Sequence, residues 1–102
     1  MSAVTTGAGV SGALADKLEV MIRTVGTETG DSRWRLHLQL IHAPVPQYSV
    51  RIYAPDRHSR EHTVTITSNP VHDIRNILEN EAQSWKARVQ PLVMGNNETA
   101  TE

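Results

Sequence analysis

The segment from Arg33 to His42 constrains this chain most. Trp34, Leu36, Leu38 and Leu40 alternate with Arg33, Arg35, His37 and Gln39. A period of two sends the two sets to opposite faces of a strand, so the segment reads as a half-buried strand rather than a helix. Three further segments carry the same signal. Tyr48 to Ala54 sets Tyr48, Val50 and Ile52 against Ser49, Arg51 and Tyr53. Glu61 to Ser68 alternates Val64 and Ile66 with Thr63, Thr65 and Thr67 in a β-branched run that suits a pleated surface. Lys17 to Val25, with Leu18, Val20 and Ile22 on one face, reads as the first strand. Gly26 with Gly30-Asp31-Ser32, then Ala43-Pro44-Val45-Pro46-Gln47, then Pro55-Asp56-Arg57-His58 supply turn chemistry between the four. Links this short join antiparallel neighbours.

After Ser68 the apolar period lengthens to 3.6. Asn69 is a good N-cap, Pro70 suits the first helical position, and Asp73 falls in the first turn, where the helix dipole favours an anion. Ile74, Ile77, Leu78, Ala82 (or Glu81 beside it), Trp85 and Val89 form one stripe, and Pro91 ends the pattern. Ser11 to Leu14 carries only a weak helical signal. The expected fold is α+β: a four-stranded antiparallel meander with one C-terminal helix packed on one face, in the order ββββα. A chain of 102 residues fits one such domain. The expected divisions are a flexible N-terminal arm over 1–15, a single domain over 16–93, and a disordered tail over 94–102. The even-numbered strand residues and the helix stripe form the expected core, with Trp34 and Trp85 packed near one another or on Leu36 and Ile77. About eighteen large apolar residues would serve about seventy-five folded ones, a thin core for an isolated domain.

Composition narrows the function classes. Ten Lys+Arg stand against 11 Asp+Glu, a formal charge of −1, which excludes a histone-type binder and an acidic tail protein. The chain has no Cys, so disulfides, thiolate metal sites and Cys nucleophiles are excluded together. The N-terminal fifteen residues lack a basic region and an unbroken apolar run, and no window reaches the length of a spanning helix. A cytoplasmic protein with no membrane association is the expectation. Asn97-Glu98-Thr99 matches a glycosylation acceptor only by chance in that setting.

Reactive constellations are absent from the pattern. His58 and His62 are four apart but straddle a turn and a strand start, and His37 and His42 fall on opposite strand faces, so no metal site is expected. No Ser sits in a Gly-x-Ser-x-Gly elbow. Gly7, Gly9 and Gly12 mimic a dinucleotide fingerprint, but no strand is expected before them. Glu19 and Glu61 are almost the only strand acids, which leaves no carboxylate pair for glycoside chemistry. His37 beside Tyr53 reads as an ordinary polar neighbour rather than an acid–base pair. The chain is therefore read as non-enzymatic, with no catalytic residue, metal or cofactor.

Two surfaces remain. One helix covers one sheet face, which leaves the odd-numbered residues exposed. Residues 33 to 60 contain five Arg (33, 35, 51, 57 and 60) and one acid, Asp56. Arg23, Arg33, Arg35, His37, Arg51 and Tyr53 are the candidate anion or nucleic-acid residues on that face, with Arg23 expected near Arg35. The last strand is the expected sheet edge. Its run Thr63, Val64, Thr65, Ile66, Thr67 contains no Pro or charge to discourage pairing with another strand. The expected function is a small protein-interaction module (adaptor, inhibitor or structural component), homodimeric through the 61–68 edge or the open face. The alternative is a nucleic-acid-binding regulator using a basic sheet face.

Overall fold

Leu14, Leu18, Met21, Ile22 and Val25 recur at the helical period. The computed structural model, which describes residues 2–42, 44–66 and 69–89, buries all five on one side of a helix, α1 (Gly12–Thr29). Ser11 caps its start by accepting a hydrogen bond from the Leu14 N–H at 3.1 Å. Gly30 ends it in the left-handed region at φ 75°, where a side chain would be strained. The strand expected over Lys17–Val25 is therefore corrected to helix. Leu18 and Ile22 satisfy both periods, but Val20 does not: it is 67% exposed.

The N-terminal residues expected as an arm hold structure too. Val4–Thr6 form a strand, β1, and Gly12 to Ala15 open α1. β1 runs parallel to β2 (Arg35–Ile41), pairing Val4 with Leu36 and Thr6 with Leu38. Parallel neighbours need a crossover, and α1 is that crossover. Glu19 on α1 fastens the arrangement. Its carboxylate accepts from the Ala3 N–H at 3.1 Å, the Val4 N–H at 3.2 Å and the Ser2 hydroxyl at 2.7 Å.

The rest of the sheet follows the expected meander. β2, β3 (Gln47–Tyr53) and β4 (Ser59–Thr65) pair antiparallel, and the order across the sheet is β1-β2-β3-β4. The sheet is thus four-stranded but mixed, and the fold is α+β with two helices. α2 (Pro70–Val89) begins at the expected cap, where Asn69 Oδ1 accepts from the His72 N–H at 3.3 Å.

α1 and α2 touch each other and share one side of the sheet. Between helices and sheet lie Trp34, Leu36, Leu38, Val50, Ile52, Val64, Ile74 and Leu78, as the even-numbered pattern predicts. Trp34 meets Trp85 edge to face, centroids 5.6 Å apart and rings at 72°. The Trp34 indole N–H donates to Thr29 Oγ1 at 2.9 Å, tying the helix end to the strand start. Among the described residues one charged group enters this layer. Glu81 is buried and hydrogen-bonds His62 on β4 at 2.8 Å, which joins α2 to the last strand.

The helical assignment of residues 12–29 makes a sharp prediction. Leu18→Ala should cost about 2–5 kcal/mol, as for other fully buried leucines. Val20→Ala should fall within about 0.5 kcal/mol of wild type. Urea unfolding checks both; comparable losses at the two positions would favour a strand with both side chains inward.

Candidate functional site

The helices leave the odd-numbered sheet face bare, and register fixes which side chains meet there. Thr5, His37, Arg51 and Glu61 lie in one row across all four strands. His37 Nδ1 and Thr5 Oγ1 are hydrogen-bonded at 2.7 Å, and His37 Nε2 lies 3.4 Å from Gln39 Oε1. Arg51 donates to Glu61 at 3.1 Å and to the Ser59 hydroxyl at 3.2 Å. Ser49 donates to the other Glu61 oxygen at 2.6 Å. The Ser49 hydroxyl and the Arg51 guanidinium hold the Glu61 carboxyl below its ordinary value, so it stays charged and keeps Arg51 neutralised. The row is a polar surface satisfied within itself.

This pairing changes the expected basic face. Arg23 belongs to α1, not to the sheet face, and pairs with Glu19 at 2.7 Å. It still lies near Arg35: the two line one groove together with Asp31. His37 faces Arg51 in register and Tyr53 faces Arg35, so His37 and Tyr53 are not opposite each other.

Arg33, Arg35 and Tyr53 come together at one end of the sheet. They line a shallow groove of about 660 Å³ with Arg57, Thr5 and Ser2, and among the described residues no acid shares the lining. Arg33 is locked by Asp31, whose two oxygens receive its Nε at 3.0 Å and its Nη2 at 2.8 Å. Arg35 Nη1 donates to the carbonyls of Ser32 at 3.0 Å and Trp34 at 2.7 Å. Among the described residues neither Arg35 nor Arg57 has a carboxylate partner. Tyr53 is 40% exposed beside them.

Arg57 was not a candidate in the sequence. The turn was legible from Pro55-Asp56, but the residue that follows adopts φ 71°, a conformation that normally selects glycine. Its backbone N–H donates to Ala54 O at 3.0 Å, and Ala54 N–H donates to His58 O at 2.9 Å, closing a three-residue hairpin loop. Asp56, its neighbour, turns the other way and binds Arg88 on α2 at 2.7 and 3.2 Å.

β4 is an edge of the sheet, with β3 on one side only. Thr63 and Thr65 are exposed on the open face, and Val64 points into the core, so Val64 could offer a partner only its backbone. Ile66, just past the strand, is 42% exposed. Thr67 lies outside the described residues. The opposite edge, β1, is only three residues long.

Among the described residues no group of three or more His, Asp or Glu is placed to hold a metal ion, and no helix is long and apolar enough to cross a membrane. Comparison with family models, with curated proteins and with solved structures gives no match.

The Asp56–Arg88 pair ties the hairpin turn to α2 and carries a pH signature. The Arg88 guanidinium holds the Asp56 carboxyl below its ordinary 3.8. A lowered folded pKa means that the stabilisation is complete above the unfolded value of about 3.9 and is lost as pH falls through the folded one. The melting midpoint should therefore drop as pH falls below about 4. Asp56→Asn should start lower at pH 7 and drop less over that range; an equal drop in both proteins would remove the pair as a contributor.

Proposed function

We propose that the protein is a small non-enzymatic interaction module that assembles as a homodimer through the edge strand β4. The observation that carries this reading is an exposed seven-residue edge, hydrogen-bonded to β3 on one side only. Its second half, from His62 to Thr65, contains no Lys, Arg, acid or Pro. Its polar outer face asks little of a partner beyond backbone pairing, and self-complementary edges pair around a two-fold axis.

Charge suggests a register. In an antiparallel pairing centred on Thr63, Glu61 faces the partner's Thr65 and Arg60 faces the partner's Ile66, so no like charges meet. A pairing centred on Arg60 or Glu61 would set identical charges opposite each other, which is unfavourable. The product is a continuous eight-stranded sheet with its helices on one side.

The reading of a nucleic-acid binder spread over a basic sheet face has less support. Arg51 is paired with Glu61, Arg23 with Glu19, and Arg33 with Asp31. Of the arginines of residues 33–60, Arg33, Arg35 and Arg57 gather at one sheet end rather than forming a continuous stripe.

Light scattering coupled to gel filtration tests the dimer. Wild type at high micromolar concentration should give twice the 11.3 kDa chain mass. The double variant Thr63→Glu, Thr65→Glu should give the single mass with its circular dichroism unchanged. Both side chains are already exposed, and in this register position 63 faces its own copy and position 65 faces the partner's Glu61, so like charges meet. A wild-type monomer at that concentration, or a double variant that remains dimeric, rejects pairing through β4.

A further inference from the structure

We propose that the groove lined by Arg33, Arg35, Arg57 and Tyr53 is a binding site for a phosphate-bearing ligand. Three arginines converge there, and among the described residues no carboxylate lines the groove. Arg33 is neutralised and oriented by Asp31, so the surplus charge resides on Arg35 and Arg57. Arg35 is pre-oriented as well. One of its terminal nitrogens is held by two backbone carbonyls, and among the described residues the other two guanidinium nitrogens have no partner. A guanidinium fixed on one side and open on the other presents paired N–H donors that match phosphate oxygens.

Arg57 supplies the second, independent observation. A three-residue hairpin loop normally places glycine at the left-handed position, yet this chain carries arginine there at φ 71°. A non-glycine residue at that angle is strained, and local strain concentrates where the side chain is needed. The neighbouring acid that could neutralise Arg57 is instead engaged by Arg88. The turn therefore delivers to the groove a cation that has no carboxylate partner among the described residues. Tyr53 stands opposite Arg35 in register and offers an exposed ring beside the cations, where a planar group attached to the phosphate could lie. None of the lining residues belongs to β4, so this proposal stands independently of the dimer.

Nitrogen–proton correlation spectra of the full chain, recorded during titration at low salt, test it. The probes are inorganic phosphate and adenosine monophosphate, with sodium chloride at matched ionic strength as control. Phosphate should give saturable shifts confined to residues 33–35 and 53–57, and chloride should not. Arg35→Gln should weaken binding about tenfold. Arg57→Gly should weaken it several-fold and raise the melting midpoint by roughly 4 °C, because the strain is relieved as the cation is removed. Tighter binding of the nucleotide, lost in Tyr53→Ala, would assign the ring to a base; equal affinity would assign the site to the phosphate group alone. Shifts that chloride reproduces, that fail to saturate, or that survive Arg35→Gln unchanged would overturn the site.

Discussion

Helix α1 lying across the sheet is the constraint on which the rest of this structure depends. Its buried stripe of Leu14, Leu18, Met21, Ile22 and Val25 joins the core that covers Trp34 and, on β2, Leu36 and Leu38. Burying a leucine or isoleucine stabilises by about 1.5–3 kcal/mol, so this stripe outweighs any single polar contact in the molecule. As a crossover it also forces β1 to run parallel to β2. With α1 and α2 together on one side, the other sheet face and the β4 edge are left to solvent or to partners.

Polar contacts then decide what those bare surfaces can do. Glu19 holds the β1 backbone to α1, Glu61 neutralises Arg51 on the open face, and Asp31 neutralises Arg33. These pairs are exposed or half-exposed, so each contributes little stability. Their larger effect is on the field: they reduce an arginine-rich stretch of sequence to one sheet end where Arg35 and Arg57 keep their charge. The two proposals thus use different parts of the surface. Backbone groups along β4 offer pairing, and side chains at the far end of β2 and β3 offer anion binding.

Much of this fold is legible in the sequence, and the parts that are not have identifiable physical causes. β2, β3, β4 and α2 follow from uninterrupted periods of two and of 3.6, and so does the inward placement of Trp34 and Trp85. α1 does not, because Leu18 and Ile22 fit a strand and a helix equally well. Val20 tips the reading toward a strand, although it is only an exposed apolar side chain on a helix. Weighting Leu14, Met21 and Val25, with Ser11 and Gly30 as caps, would have resolved it. β1 is three residues long and is stabilised by pairing and by Glu19, neither of which leaves a periodic trace. Arg57 is illegible for the opposite reason: the glycine that would announce a left-handed turn residue is missing.

The central claim is that β4 is an unfinished edge, completed by a second copy of the chain. Hydrogen–deuterium exchange of the β4 amides as a function of protein concentration tests it most directly. If the edge pairs, the β4 amides that point away from β3 exchange fast at low micromolar concentration and become protected at high concentration, while those bonded to β3 stay protected throughout. If the outward amides exchange at the same fast rate at every concentration, β4 has no partner strand and the account of this protein as a self-pairing module is wrong.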